Sequence, residues 1–388
     1  MTATAPLGPQ RRVLWEDAHA GPIVARIAVA GDFLPAGKLS VPAGVWRDAA
    51  RGLATHFDDV AISFMNLECA LAADGLSARP LLGLGQIVSA PAASLDFLEI
   101  IRAHPVGLGN NHAYDFRAAG VDRTRGELVR RGMVPLGAGR ALRSAPEVFL
   151  WEGPGEIRIG FWAAARASRD LATRRSPGVE PATVARAAEA MEALRSRGAR
   201  FAIALLHSGC LRTNRPDPAD MDLMDAVAGC GFGVVAASHS HRISGAKFIE
   251  SREGVSAFCF YGLGSLVSGF VASPLEREGL IVVAGFDSRG KLARVEVRPV
   301  LLAQSGFGEA PSCEMGRVIL ERFSDLSAEI RSGTSGRRFY DDVSPGLLPL
   351  YLRDARAAFR ESGLRGLARK ASRLRVRHLR RLLHRAIA

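Results

Sequence analysis

The chain has 388 residues, of which 48% are hydrophobic, and its formal net charge is +12. This length and apolar content support a sizeable core and exclude a disordered protein. The charge is uneven, because residues 351–388 carry twelve Arg or Lys against two acids, so the body is nearly neutral and is not a basic nucleic-acid binder. The five scattered cysteines lack CxxC spacing, which argues against a disulfide framework or a zinc ribbon.

Strands and helices alternate along most of the chain. Apolar, β-branched runs predict strands at 22–30, 60–65, 106–108, 147–151, 157–163, 201–206, 232–237, 257–261, 279–286 and 292–301. Helical patterns occur at 43–56, 94–102, 117–131, 181–197, 217–230 and 313–331. The alternation predicts an α/β sandwich of two β-sheets flanked by helices, followed by a C-terminal helical tail.

Four segments follow from this interpretation. Residues 1–22 form an N-terminal extension, and they lack the apolar stretch of a secretory signal. Residues 23–305 form the main domain, and residues 306–341 a helix with a Gly/Ser/Thr-rich linker at 332–338. Residues 342–388 form a basic amphipathic tail. No run of about 18 apolar residues predicts a membrane-spanning helix.

Side chains able to bind metal follow five of the predicted strands. Ligands in α/β sheets gather outside the carboxyl ends of the strands, so we expect these side chains to converge. Their mixture of carboxylate, amide oxygen and imidazole suits divalent Mn, Zn or Fe. The predicted metal ligands are Asp32, Glu68, Asn111, His207, His239 and His241.

The chemistry of each ligand type suggests its role. Glu68 has two oxygens and is expected to bridge two ions. Asp32 with one C-terminal histidine would complete one shell, and Asn111, His207 and the other histidine would complete the second. Two ions about 3.5–4 Å apart activate water and neutralise phosphate oxygens in an in-line displacement. His112 is then the expected catalytic residue, as general acid or as a stabiliser of phosphoryl charge.

At these residues the sequence resembles the CapA family, the bacterial capsule and poly-γ-glutamate synthesis proteins of the calcineurin-like metallophosphoesterase superfamily. The resemblance runs from about residue 27 to residue 302 and implies a metallophosphoesterase-like sandwich. Asn66, Asn110, Asp115 and Ser238 are expected to contact the ligands or the substrate. The matching motifs are Ala30-Gly31-Asp32, Asn66-Leu67-Glu68, Asn110-Asn111-His112 with Asp115 and Gly120, Gly137-Ala138-Gly139, His207 with Gly209, and Tyr261-Gly262-Leu263-Gly264-Ser265.

The sequence departs from the family pattern near the second half of the site. Ser208 follows His207 where the family usually has Trp, and Leu211 lies where a Glu is usual. The family's Gly-His-x-Pro-His becomes a segment in which Ser238 occupies the first histidine position. His239, one residue later, would take the place of that histidine as a ligand. The resulting His-x-His spacing on an extended segment would place both rings on the same side.

The resemblance implies a metal-dependent hydrolase that helps to make, anchor or trim an anionic surface polymer or a phosphorylated precursor. The departures motivate a second hypothesis, a catalytically silent assembly factor with the same fold. A third is a nuclease or nucleotidase. Without a predicted anchor or export signal, a cytoplasmic position or the inner membrane face is expected.

The basic tail allows several partners. Leu364, Leu367, Ala371 and Leu374 approximate an apolar helical stripe, with arginines on the other faces. Such a helix could lie on anionic lipid, contact a synthase complex, grip a polyanion, pack on its own body or remain solvated. Nucleic acid is less favoured, because no aromatic residue follows Phe359 to stack on bases.

Overall fold

A computed structural model of the chain describes residues 10–343 apart from 38, 40, 72–74, 79–85, 167 and 251–255, and also residues 355–356, 359–360 and 363–365. The strands are β1 (Arg12–Glu16), β2 (Ala25–Leu34), β3 (Ile62–Leu67), β4 (Ala70–Leu71), β5 (Ser89–Ala90), β6 (Ala103–Gly107), β7 (Val134–Leu136), β8 (Ala138–Arg140), β9 (Val148–Glu152), β10 (Arg158–Ala165), β11 (Gly178–Val179), β12 (Phe201–His207), β13 (Val234–Ser238), β14 (Ala246–Glu250), β15 (Ser256–Phe260), β16 (Ser265–Ser268), β17 (Glu278–Phe286), β18 (Leu292–Leu302) and β19 (Gly308–Glu309). The α-helices are α1 (Ala43–Arg51), α2 (Leu95–Ile100), α3 (Arg117–Arg130), α4 (Val184–Ser196), α5 (Pro218–Gly229) and α6 (Cys313–Arg331), with 3₁₀ turns at Ala54–His56, Ala92–Ser94 and Pro274–Arg277.

Two mixed sheets contain most of the strands. One has the order β1-β18-β17-β2-β3-β6-β7, with β16 beside β2 and β19 beside β18. The other has the order β14-β15-β13-β12-β10-β9. Strands β2, β3, β6 and β7 run parallel in the first sheet, and β10, β12, β13 and β15 run parallel in the second. Parallel strands are covered on both faces, which explains their nearly continuous apolar sequences.

The sheets pack face to face, and helices cover their outer faces. Between the sheets, Phe64 meets Phe161 edge to face with ring centroids 5.4 Å apart. The outer face of the first sheet packs on helices through Trp46 and Phe97. The outer face of the second packs on α4 and α5. The predicted α/β sandwich of two sheets flanked by helices is therefore confirmed, and β9 pairs antiparallel with β10 at the edge of the second sheet.

The predicted segment boundaries differ from the structure at three places. The N-terminal extension contains β1, which pairs with β18 and stacks Trp15 on Phe258. Helix α6 lies beyond the predicted domain end, yet its Ile319 and Phe323 are buried in the core between the sheets. The predicted linker at 332–338 becomes helical from residue 335 and buries Phe339. For β1 and α6 the stabilising contact comes from residues far away in the chain, which local composition does not reveal.

Most of the predicted basic tail, residues 342–388, lies outside the described residues. Within the part that the structure describes, no helix is both long enough and apolar enough to cross a bilayer. The tail's proposed contacts with lipid, polymer or a synthase therefore stay predictions.

Burial of His56 makes the fold sensitive to acid. Its side chain is fully buried, and Nε2 lies 2.9 Å from the Pro299 carbonyl oxygen. Burial lowers the pKa of His56 to about 4, with a smaller effect from Arg298. The folded state therefore binds the proton less readily than the unfolded chain, whose histidine pKa is about 6.5. The stabilisation from neutral His56 is complete above that pH and is lost as the pH falls toward 4.

We expect the free energy of unfolding to fall by about 2 kcal/mol between pH 8 and pH 5 through His56 alone. Urea unfolding at both pH values checks this. His56→Gln removes the titrating ring, so its unfolding free energy should fall less over the same interval. An equal fall in the variant and the wild type would contradict the prediction.

Candidate metal centre

The carboxyl ends of five parallel strands from both sheets meet at one place. Glu68 directly follows β3, and His207 is the last residue of β12. Residues 110–112 follow β6, and residues 239–241 follow β13. Asp32 was expected after the end of its strand, but it lies inside β2, which continues to Leu34.

Close contact between two backbone segments holds Asp32 in that position. The Asp32 amide donates to the Gly264 carbonyl oxygen over 3.1 Å. A Cβ on Gly31 would lie 2.0 Å from that same oxygen, so only glycine fits there. The neighbouring strand β16 pairs Ser265 with Asp32. This pairing extends β2 past the point where the apolar sequence ends.

One group of potential ligands consists of Asp32, Glu68 and His241, whose ligand atoms all lie within 4.8 Å of one another. His241 Nδ1 is 3.4 Å from Asp32 Oδ2, and His241 Nε2 is 3.8 Å from Glu68 Oε2. Both carboxylates are buried. Three ligands with this geometry leave room for further ligands on a cation.

A second group consists of Glu68, His207 and His239 and meets the same 4.8 Å limit. His207 Nε2 lies 3.3 Å from Glu68 Oε1 and also contacts Asn111 Oδ1. The rings of His207 and His239 have centroids 4.5 Å apart. Glu68 belongs to both groups, so one carboxylate lies between two potential ion positions.

The residues present fit divalent cations. Glu68 Oε2 and His239 Nδ1 are buried and have no hydrogen-bond partner among the residues that the structure describes. Unpartnered buried polar atoms are costly, and a cation would satisfy both. The oxygen and imidazole donors suit a divalent metal, since thiolate ligands are absent from both groups.

Carboxylate–imidazole pairs dominate the electrostatics of the two ligand groups. Burial opposes the charged form of His207 and His241, but the Glu68 and Asp32 carboxylates outweigh it and raise the pKa of both rings to about 9. Burial likewise opposes ionisation of Asp32, yet His207 and His241 hold the pKa of Asp32 well below its usual value. Burial, together with these two imidazoles, lowers the pKa of His239 well below its usual value. Metal binding would therefore displace protons from His207 and His241.

The backbone divides His239 and His241 between the two groups. Both have left-handed backbone angles, with φ of 112° at His239 and 56° at His241. The expectation of an extended segment with both rings on one side is therefore wrong. The centroids are 6.5 Å apart, and each ring joins a different set of ligands. Strained backbone of this kind is concentrated at functional sites.

Three of the residues expected near the ligands form a network behind them. Asn66 Nδ2 donates to Asp32 Oδ1 over 2.7 Å and lies 3.2 Å from His207 Nδ1. Asn110 Nδ2 donates to Asn66 Oδ1 over 3.0 Å. Ser238, at the position of a family histidine, places Oγ 3.4 Å from His207 Nδ1. Ser238 therefore contacts a ligand's second ring nitrogen, the place where outer contacts orient metal-binding histidines.

His112 borders the ligand groups without belonging to either. Its Nδ1 lies 2.7 Å from Asp115 Oδ2, and its backbone amide donates to Asn110 Oδ1. The same Asp115 oxygen accepts from the Val88 amide over 2.7 Å. Asp115 thus fixes the ring orientation, and the charge of His112 is close enough to contribute to the lowered pKa of His239.

Ser265 was not singled out from the sequence as a site residue. Its Oγ lies 3.3 Å from His241 Nδ1. Its position at the end of the Tyr261–Ser265 motif, which is one of the motifs shared with the family, could have identified it as a site residue. All eleven residues predicted for the site are in the described part of the chain, and they lie around this one cluster.

The solved structures that are similar to this chain include calcineurin-like phosphoesterases and 5′-nucleotidases. The chain is similar to the 5′-nucleotidase precursor of Thermus thermophilus, with TM-score 0.46, 14% identity, and 78% of this chain and 58% of that chain covered. The Haemophilus influenzae NAD nucleotidase gives TM-score 0.43 and 11% identity, with 82% of this chain and 60% of that chain covered. The calcineurin-like phosphoesterase YfkN of Bacillus subtilis gives TM-score 0.43 and 12% identity, with 79% of this chain and 98% of that chain covered. This chain spans about three fifths of the first two, and at such identities and scores the likeness says nothing of activity.

Family membership is decided by the sequence. No curated protein matches the chain. The model of the bacterial capsule synthesis protein PGA_cap matches residues 26–269, which is well over half of the chain and includes every residue of both ligand groups. The chain therefore belongs to the bacterial capsule synthesis protein family PGA_cap.

Proposed function

We propose that the chain is a divalent-metal-dependent hydrolase of phosphoester-type bonds, acting in capsule synthesis on an anionic surface polymer or its phosphorylated precursor. The observation that supports this most strongly is the pair of ligand groups that share Glu68. A carboxylate between two cation positions is the arrangement that two-metal hydrolases need. The family assignment supports the capsule context.

Each residue has a distinct task in this proposal. Asp32, Glu68 and His241 would hold one ion, and Glu68, Asn111, His207 and His239 the other. Bound ions supply positive charge that neutralises phosphoryl oxygens and lowers the pKa of water. Asp115 holds His112 by Nδ1, which leaves Nε2 as the ring nitrogen from which a protonated His112 would donate to a leaving-group oxygen.

Elemental analysis with a hydrolysis assay tests the proposal. We expect about two equivalents of Mn, Zn or Fe per chain, in line with a two-metal site. Chelation should abolish hydrolysis of bis-p-nitrophenyl phosphate, and added Mn or Zn should restore it. Protein that stays metal-free after incubation with each ion would contradict the proposal.

A catalytically silent assembly factor is the second candidate. The exposed Leu211 favours it, because no carboxylate follows the His207 segment where the family usually has one. In that case the protein would bind metal and retain its role in polymer production without hydrolysing any phosphoester. Metal binding with no turnover across a panel of phosphomonoesters and phosphodiesters would favour this candidate.

A further inference from the structure

Two loops beside the candidate metal centre contain much of the left-handed backbone in the described part of the chain. Of the five non-glycine residues there with positive φ, Arg212 (φ 62°), His239 and His241 lie in these loops. Arg212 belongs to the loop that follows His207, and the two histidines belong to the loop that follows β13. Such conformations persist only where surrounding contacts hold them. The contacts of these loops therefore fix the positions of two potential ligands.

Backbone hydrogen bonds join the two loops. The Ser208 amide donates to the Ser238 carbonyl oxygen over 2.9 Å, and the Arg212 amide donates to the Ser240 carbonyl oxygen over 3.0 Å. Within the second loop, Ser240 Oγ donates to the Arg242 carbonyl oxygen over 3.0 Å. A contact that restrains one loop therefore also restrains the other.

A single carboxylate, Glu276, contacts an arginine of each loop. It lies in the 3₁₀ turn Pro274–Arg277, and only 4% of the residue is exposed. Its Oε1 lies 3.6 Å from Arg212 Nε and 3.8 Å from Arg242 Nη2. Its Oε2 accepts from the Ala272 amide over 2.8 Å, which fixes the carboxylate near its own turn. We call Glu276, Arg212 and Arg242 the Glu276 cluster.

Arg242 is the more firmly held arginine of the cluster. Its side chain is 17% exposed, whereas that of Arg212 is 67% exposed. Its Nη2 also donates to Ser273 Oγ over 3.1 Å, so two residues of the same turn hold it. Salt screens a largely buried ion pair less than an exposed one. Because Arg242 directly follows His241, this ion pair restrains the backbone that carries the His241 ring.

The histidines of the other ligand group have restraints of their own. The His239 amide donates to Asp32 Oδ2 over 2.9 Å. His207 is the last residue of β12, a strand that is paired on both sides. Neither restraint involves the Glu276 cluster. Loss of the cluster should therefore displace His241 more than His239 or His207.

We propose that Glu276 is a positioning residue that, through Arg242, sets the affinity of the ion position formed by Asp32, Glu68 and His241. Its ion pairs and hydrogen bonds in the described part of the chain involve no potential ligand, so it acts by holding the backbone of His241. The inference rests on the metal binding in the proposed function and does not depend on hydrolysis. It assigns a task to a buried carboxylate that belongs to neither ligand group.

The first experiment measures Mn²⁺ affinity by calorimetric titration of chelator-treated, full-length protein. Glu276→Gln keeps the volume of the side chain and removes its charge. Arg242→Gln removes the other partner of the ion pair, and a double variant combines the two. The matched control is Glu180→Gln, because Glu180 is also buried and pairs with Arg186 on α4.

Glu276→Gln should bind one ion about 10- to 100-fold more weakly, as for loss of a contact behind a metal ligand, and the other less than about threefold more weakly. Arg242→Gln should give the same loss, and the double variant should lose no more, since both residues act as one pair. Glu180→Gln should keep both affinities. Equal weakening of both ions, unchanged affinities in Glu276→Gln, or a further loss in the double variant would overturn the inference.

The second experiment needs no metal and separates this inference from the proposed function. The nine histidines are labelled with ¹³C at Cε1 and assigned by single histidine variants, and their NMR spectra are recorded on chelator-treated protein. In Glu276→Gln the largest shift should occur at His241, whereas Glu180→Gln should leave that resonance unchanged. A largest shift elsewhere would contradict the positioning role, even in a protein that binds two ions. A wild type that binds no ion but shows the shift at His241 would refute the proposed function and still support the positioning role.

Discussion

Replacement of Glu68 by glutamine should remove metal from both ligand groups and lower phosphodiester hydrolysis by about a thousandfold or more. Glu68 is the one residue that both groups share, so each loses a charged ligand. Glutamine keeps the volume of the side chain, which limits the change in packing. Its neutral amide provides much less attraction for a divalent ion than a carboxylate does.

The Glu68→Gln variant needs a control that separates metal loss from unfolding. Glu127 is another buried glutamate, on α3, where it pairs with Arg123 and Arg130. Glu127→Gln should keep the wild-type metal content and activity. Elemental analysis, hydrolysis rates and urea unfolding are measured on both. A Glu68→Gln protein with full metal content and normal turnover would refute the shared-ligand arrangement.

Replacement of His112 by asparagine should leave the metal content unchanged and lower turnover by about 10²- to 10⁴-fold, the range for loss of a general acid. His112 lies outside both ligand groups and is held by Asp115. The loss should be greater for a substrate with a poor leaving group, such as an alkyl phosphoester, than for one that releases p-nitrophenolate. A poor leaving group depends on the donated proton, whereas p-nitrophenolate leaves without it.

His104→Asn is the matched control for this variant. His104 lies near the start of β6, with its ring 5.0 Å from the ring of Phe149, and therefore at the opposite end of the strand from residues 110–112. Its replacement should change neither the metal content nor the dependence of the rate on the leaving group. If His112→Asn loses metal, or slows both substrates equally, His112 is a structural neighbour of the centre and no proton donor.

The fold class could be predicted because parallel strands that are buried on both faces have nearly continuous apolar sequences. Val234–Ser238 is one such strand, and its apolar run stops where the chain leaves the sheet, whereas β2 continues in the sheet to Leu34 beyond its apolar run. The polar residues at these stops are the ones that the structure brings together. Contacts across the chain were not predictable, since β1 depends on β18 and helix α6 on the core between the sheets.

The sequence by itself determined the kind of fold, the family, and the set of carboxylate, amide and imidazole groups at the strand ends, because periodicity and local order are written along the chain. Tertiary structure alone decided how those groups are divided. Strand β2 continues through Asp32 because Gly31 permits close contact with Gly264. The left-handed backbone angles of His239 and His241 place their rings in different ligand groups. The antiparallel pairing of β8 with β11 likewise joins two segments that are separated in the chain. Distances between side chains on different strands depend on how the sheets pack, and no local stretch of sequence contains that information.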